Sequence, residues 1–132
     1  MDKQEQPVSE FKSKGGLKRI AAAFFYSIDG FKAAWRNEHA FRQEVVLLVC
    51  ATVIALSVPV SAGERLALIG VFVLVLMVEL INSAIEAVVD RVSLERHPLS
   101  KNAKDFGSAA VCLAVLLAVA TWAVILLPLA LP

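Results

Sequence analysis

The stretch VELINSAIEAVVDR, residues 78–91, decides the fold. It continues an apolar run over residues 66–78 and then adds Glu79, Asn82, Ser83, Glu86 and Asp90. At about 100° per residue these five polar side chains fall within roughly a third of a helix circumference. Leu80, Ile81, Ile85, Val88 and Val89 face elsewhere. A carboxylate at mid-bilayer costs about 2.5–3.5 kcal/mol on insertion scales, so it must be paired, metal-bound or wetted. A stripe that only glues helices together is the bland explanation; a functional site accounts better for so many acids.

Composition supports a membrane protein. Of 132 residues 58% are hydrophobic, which is too apolar for an ordinary soluble domain, and the chain is too short for several domains. The net charge of +1 hides a strong asymmetry along the chain. No basic patch with interleaved aromatics is present, so nucleic acid is not an expected partner. Cys50 and Cys112 each lie inside an apolar run and read as reduced, packed side chains. The first apolar run begins at Val45, far behind the charged start, so no cleavable signal peptide is expected.

In chain order, residues 1–16 are polar and read as a disordered tail, followed by one membrane domain over 17–132. Within residues 17–36, Leu17, Ile20, Ala21, Phe24, Ile28, Phe31 and Trp35 recur at spacings of three and four. Lys18, Asp29, Lys32 and Arg36 share the other side, as expected for an amphipathic helix in the membrane interface. NEHAFRQE, residues 37–44, is a polar knot in which Glu38 and Arg42 stand at ion-pair spacing. Three spans follow over residues 45–62, 66–89 and 106–127; the last two give about 36 and 33 Å of helix. The fold expected is thus an all-α membrane protein with a surface helix and three transmembrane helices.

Charge sets the orientation. Lys3, Lys12, Lys14, Lys18, Arg19, Lys32, Arg36 and Arg42 precede the first span. Arg91, Arg96, Lys101 and Lys104 populate the second connection, whereas the first holds only Arg65. The positive-inside rule then puts the N-terminus in the cytoplasm and the C-terminus outside. Counting from Arg65 through a core of about 30 Å leaves Glu79 in the inner leaflet and Glu86 and Asp90 among or beyond the headgroups. Glu38, the acidic stripe, and Lys104, Asp105 and Ser108 meet at this cytosolic edge.

Carboxylates from two helices suit a hard divalent cation, since Mg²⁺ takes one or two carboxylates plus substrate phosphates. A lysine nearby would neutralise phosphate charge. A deeper, desolvated carboxylate such as Glu79 could accept a proton from a lipid hydroxyl. These are the parts of a phosphoryl transfer onto a lipid alcohol. An oligomeric cation channel is the reading from another class, but residues 66–78 offer it no polar path to the outer face. Asp105-Phe106-Gly107 spells a protein-kinase triplet without the other parts of that fold, and reads as chance.

NEHAFRQE, VELINSAIEAVVDR and AKDFGSAAV resemble the motifs of the small integral-membrane diacylglycerol kinases of bacteria, of the Gram-negative type rather than the undecaprenol kinase branch. The resemblance covers about residues 17–122. It implies a homotrimer in the bacterial inner membrane with a periplasmic C-terminus and active sites shared between neighbouring chains. It also implies transfer of the γ-phosphate of MgATP to diacylglycerol, with Mg²⁺ as the metal. By motif, Glu79 would be the general base, supported by Asn82, and Glu38 and Glu86 the metal ligands in contact with ATP. Lys104 and Asp105, with Arg19 and Tyr26 of the surface helix, would bind the nucleotide. Trp35, Phe41, Arg42 and Ser108 would line the lipid approach beside Glu79. Ile28, Asp29 and His39 depart from the expected pattern.

Overall fold

The structure is a computed structural model and describes residues 15–131. Most of the expected tail over residues 1–16 therefore lies outside the described residues. Among the described residues there are four helices and no strand: α1 (Gly16–Asn37), α2 (His39–Ser57), α3 (Ala62–Val92) and α4 (Pro98–Ala130). The last three are long and apolar enough to cross a membrane. The chain divides between Ala33 and Ala34 into two compact units. In the first, α1 begins at Gly16, whose φ of 56° suits a residue without a Cβ. Leu17, Ile20, Phe24 and Phe31 on it are exposed.

The helix bounds differ from the expected spans for identifiable reasons. The polar knot is helical, so α2 starts at His39 rather than near Val45. It stops at Ser57 because Pro59 lacks an N–H and drives Val58 into extended backbone, φ −92° and ψ 150°. Residues 58–61 thus lie outside any helix. Glu64, expected in the reversal, belongs to α3: the Ser61 side chain accepts from the Glu64 N–H, and the Glu64 carboxylate accepts from the Ser61 N–H. This reciprocal capping box begins the helix well before the apolar run. The connection expected over 91–105 shrinks to a few residues, because His97 caps α4 and Pro98 occupies its first turn, where a missing N–H costs nothing. Pro128, expected beyond the last span, lies inside the final turns of α4.

Two arginines close the ends of helices that precede them. The Arg42 Nη1 donates to the carbonyls of Trp35 (2.7 Å) and Arg36 (3.3 Å), in the last turn of α1. Its Nη2 meets His39 Nδ1 at 2.7 Å. The Glu38–Arg42 pair suggested by spacing is therefore replaced by a cap. At the other end of α2, Arg65 Nε donates to the Ala55 carbonyl at 2.9 Å, and its Nη2 reaches Val58 and Val60. Each guanidinium satisfies carbonyls that a helix end leaves unpaired, and its charge opposes the negative end of the dipole.

Within the second unit α3 packs against both α2 and α4. The contacts are built from small residues, Ala51 and Ala55 on α2 and Ala114 and Ala118 on α4, with Leu68 and Val75 on α3. Such residues let helix backbones approach where apolar solvent supplies no hydrophobic drive. Leu47, Val53, Leu74, Met77, Leu113 and Leu117 point outward, as hydrocarbon surroundings permit. Trp122 fastens α4 to α3. Its Nε1–H donates to the Leu68 carbonyl at 3.0 Å, and its ring meets Phe72 edge-on at 5.5 Å. Trp122→Phe removes the donor while keeping an aromatic ring. It is expected to cost about 0.5–1.5 kcal/mol, read as a lower unfolding temperature in detergent with the fold retained.

Candidate active site at the acidic end of the helices

The acidic stripe of α3 faces its neighbours, as its periodicity requires. Glu79 is 7% exposed, the one charged side chain among the buried residues described. Glu38 and Glu86 lie close enough for their charges to act on it. Glu38 comes from the N-cap position of α2, where extended backbone (φ −108°, ψ 112°) turns the chain into the helix without a side-chain cap. Glu44, one turn into α2, is a fourth member: its charge and that of Glu79 interact, and its buried Oε2 has no hydrogen-bond partner. Sequence reading passed over Glu44 as one acid in a polar knot. The signal was there in its position at the start of an apolar run.

Asn82 links the stripe to α4. Its Nδ2 donates to Glu86 Oε1 at 3.3 Å, while its Oδ1 is buried without a partner. Facing that oxygen is Gly107, buried on α4; a Cβ there would overlap Asn82 Oδ1. The residue dismissed with a chance triplet is thus a point of close approach between α3 and α4. A glycine inside a helix costs roughly 1 kcal/mol against alanine, and that cost was the available clue. Of its neighbours in that triplet, Asp105 pairs with Lys101 at 2.5 Å, and Phe106 is exposed.

Lys104 joins the cluster from α4. It pairs with Asp90 at 2.6 Å, and the charge of Glu86 also acts on it. A cavity of about 600 Å³ beside it is lined by Asp90, Ser93, Arg96, His97, Lys101 and Lys104. A second, about 570 Å³ and mainly apolar, is bordered by Gln43, Glu44, Leu47, Phe72, Val119 and Trp122. Glu38, Glu79, Asn82 and Glu86 are thereby brought together, with Lys104 reached through Glu86. Of the residues expected along a lipid approach, Phe41 is buried, Trp35 and Ser108 are exposed, and Arg42 is engaged as a cap. Arg19 and Tyr26 lie exposed on α1 in the first unit.

Among the described residues no three His, Cys, Asp or Glu side chains stand close enough to hold a metal by themselves. Mg²⁺ does not require that, since substrate phosphates complete its shell around one or two carboxylates. Glu38 supplies a hard oxygen donor of that kind, and so does Glu86, whose carboxylate accepts from the Asn82 amide. The donor set fits.

Three apolar, span-length helices define an integral-membrane protein. The chain belongs to the prokaryotic diacylglycerol kinase family, whose model matches residues 25–126. A diacylglycerol kinase of Pseudomonas aeruginosa is 60% identical over 119 residues, covering 90% of this chain and 97% of the relative. One from Escherichia coli is 53% identical over 111 residues, covering 84% and 91%. A more distant one, from Helicobacter pylori, is 44% identical over 107 residues, covering 81% and 84%.

Proposed function

We propose that the protein phosphorylates a lipid alcohol at the acidic end of its helices. It transfers the γ-phosphate of ATP to diacylglycerol, giving phosphatidic acid and ADP. The observation that carries the mechanism is the convergence of Glu38 and Glu86 on a buried Glu79, with Asn82 tied to Glu86. The lipid hydroxyl oxygen attacks the γ-phosphorus while the bond to the β–γ bridging oxygen breaks and ADP leaves. The hydroxyl proton passes to the Glu79 carboxylate. Burial of Glu79 excludes water that would compete with the lipid for phosphate.

Glu38 and Glu86 would hold Mg²⁺, which when bound neutralises charge on the phosphates. Asn82 orients the Glu86 carboxylate through its amide. Lys104 and Asp105, with Arg19 and Tyr26, serve the nucleotide, and Trp35, Phe41, Arg42 and Ser108 the lipid approach. We place the chain in the bacterial inner membrane with α1 in the cytosolic interface and the C-terminus periplasmic. The lysines and arginines before the first span and in the second connection support that orientation. The apolar outward faces of the helices accommodate lipid and further copies alike, in a homotrimer whose sites are shared between chains.

The test is transfer from labelled MgATP in mixed micelles, with dioleoylglycerol and undecaprenol offered in parallel. Phosphatidic acid should dominate. Preferential labelling of undecaprenol would reassign the acceptor, and labelling of neither lipid by folded protein would overturn the kinase reading. Glu86→Gln should raise the Mg²⁺ concentration needed for half-maximal rate. Losing a ligand should cost at least what outer partners of metal sites cost, roughly tenfold. An unchanged magnesium dependence would remove Glu86 from the ligand pair.

A further inference from the structure

Asp90 is the member of the acidic stripe left without a role by the mechanism above. It sits near the end of α3 and pairs at 2.6 Å with Lys104, across the α3–α4 connection. Both side chains are partly open to solvent, 39% for Lys104 and 50% for Asp90, and both line the cavity of about 600 Å³. The neighbouring lysine, Lys101, is neutralised in the same way by Asp105. Two ammonium groups at the mouth of this cavity are therefore each tied to a carboxylate. An ion pair so exposed contributes little stability and breaks readily. It does fix where the ammonium group waits.

A nucleotide phosphate carries more than one acceptor oxygen and more charge than a carboxylate, so it competes strongly for an ammonium donor. The charge of Glu86 also acts on Lys104, after that of Asp90. We propose that Asp90 is a positioning residue that holds Lys104 in the nucleotide-free enzyme and yields it to nucleotide phosphate, recapturing it as ADP departs. This rests on the nucleotide role of Lys104 stated above. Asp90 thereby weakens nucleotide binding and favours product release. A carboxylate serving only as a strut between α3 and α4 would act in the opposite direction, since its removal would loosen the site.

The experiment measures MgADP affinity by calorimetry, and KM and kcat for ATP, on the full chain in detergent micelles. The variants are Asp90→Asn, Asp90→Glu, Lys104→Gln and the Asp90→Asn/Lys104→Gln double. Asp90→Asn should bind MgADP about two- to fivefold more tightly, the size of an exposed ion pair removed as competitor. KM for ATP should fall with it, kcat should not rise, and Asp90→Glu should restore wild-type affinity. Lys104→Gln should weaken MgADP roughly tenfold. In that background the Asp90→Asn gain should vanish, because the exchange needs the lysine.

Weaker or unchanged MgADP binding by Asp90→Asn, beside a weakened Lys104→Gln, would overturn the exchange and leave the nucleotide role of Lys104 standing. A gain that persists without Lys104 would also overturn it, as a long-range charge effect. Wild-type affinity in Lys104→Gln would overturn the nucleotide role and the exchange together. If Asp90→Asn fails to fold, Asp90→Ser makes the same test.

Discussion

Glu79→Gln is expected to abolish phosphate transfer to diacylglycerol while the protein still inserts and folds. Glutamine keeps the shape of the side chain but cannot accept the hydroxyl proton. Loss of a positioned general base typically costs about 10²–10⁴ in rate. Folding should survive because, among the described residues, no hydrogen bond holds the Glu79 carboxylate, and the exchange removes one of several crowded negative charges. Initial rates with labelled ATP and dioleoylglycerol, beside thermal unfolding of the same preparation, check both halves. A folded variant within about threefold of the wild-type rate would show that another group takes the proton.

Gly107→Ala should separate activity from stability in a different way. The added methyl would overlap Asn82 Oδ1, and its next neighbours, Asn82 Cγ and Cα, would lie at 3.2 and 3.7 Å. The offending atom is the tip of a rotatable side chain, so the amide can swing aside while the two helices stay packed. Alanine also favours the helix by roughly 1 kcal/mol over glycine, which offsets much of the crowding. Stability should therefore change by no more than about 1 kcal/mol. The cost falls on the site, because an Asn82 displaced from Gly107 no longer donates to Glu86. Misplacement of this kind far from the reacting atoms can cost about 10²-fold in rate. Wild-type rates in Gly107→Ala would mean that Asn82 tolerates movement and that its bond to Glu86 is incidental.

These two positions differ in how they could be found. Glu79 is legible in the sequence, because an acid inside an apolar helical run has a cost that demands a purpose. Gly107 is nearly invisible there, since glycine on a helix carries no chemistry and its partner lies on another helix. Arg42 shows the same limit from the other side. Spacing along one helix paired it with Glu38, whereas its guanidinium turns back to the carbonyls that end α1. Carbonyls at the end of a helix have no partner within it, and Arg42 is placed to reach two of them. The span ends were misread where capping decided them: the Ser61–Glu64 box and the His97 cap extend α3 and α4 into stretches that look like loop by hydropathy.

By itself the sequence determined the helical class, three span-length segments and a one-sided acidic stripe, along with the motif resemblance borne out by the family match. Those features follow from residue spacing along one chain, which a period of 3.6 residues converts directly into faces. Only the tertiary structure decided that Asn82 lies against Gly107, that Glu44 joins Glu79, and that Lys104 is held by Asp90. Each of these depends on the rotation and register of one helix against another. Helix packing sets those through side-chain fit at the contact, and no local periodicity records it.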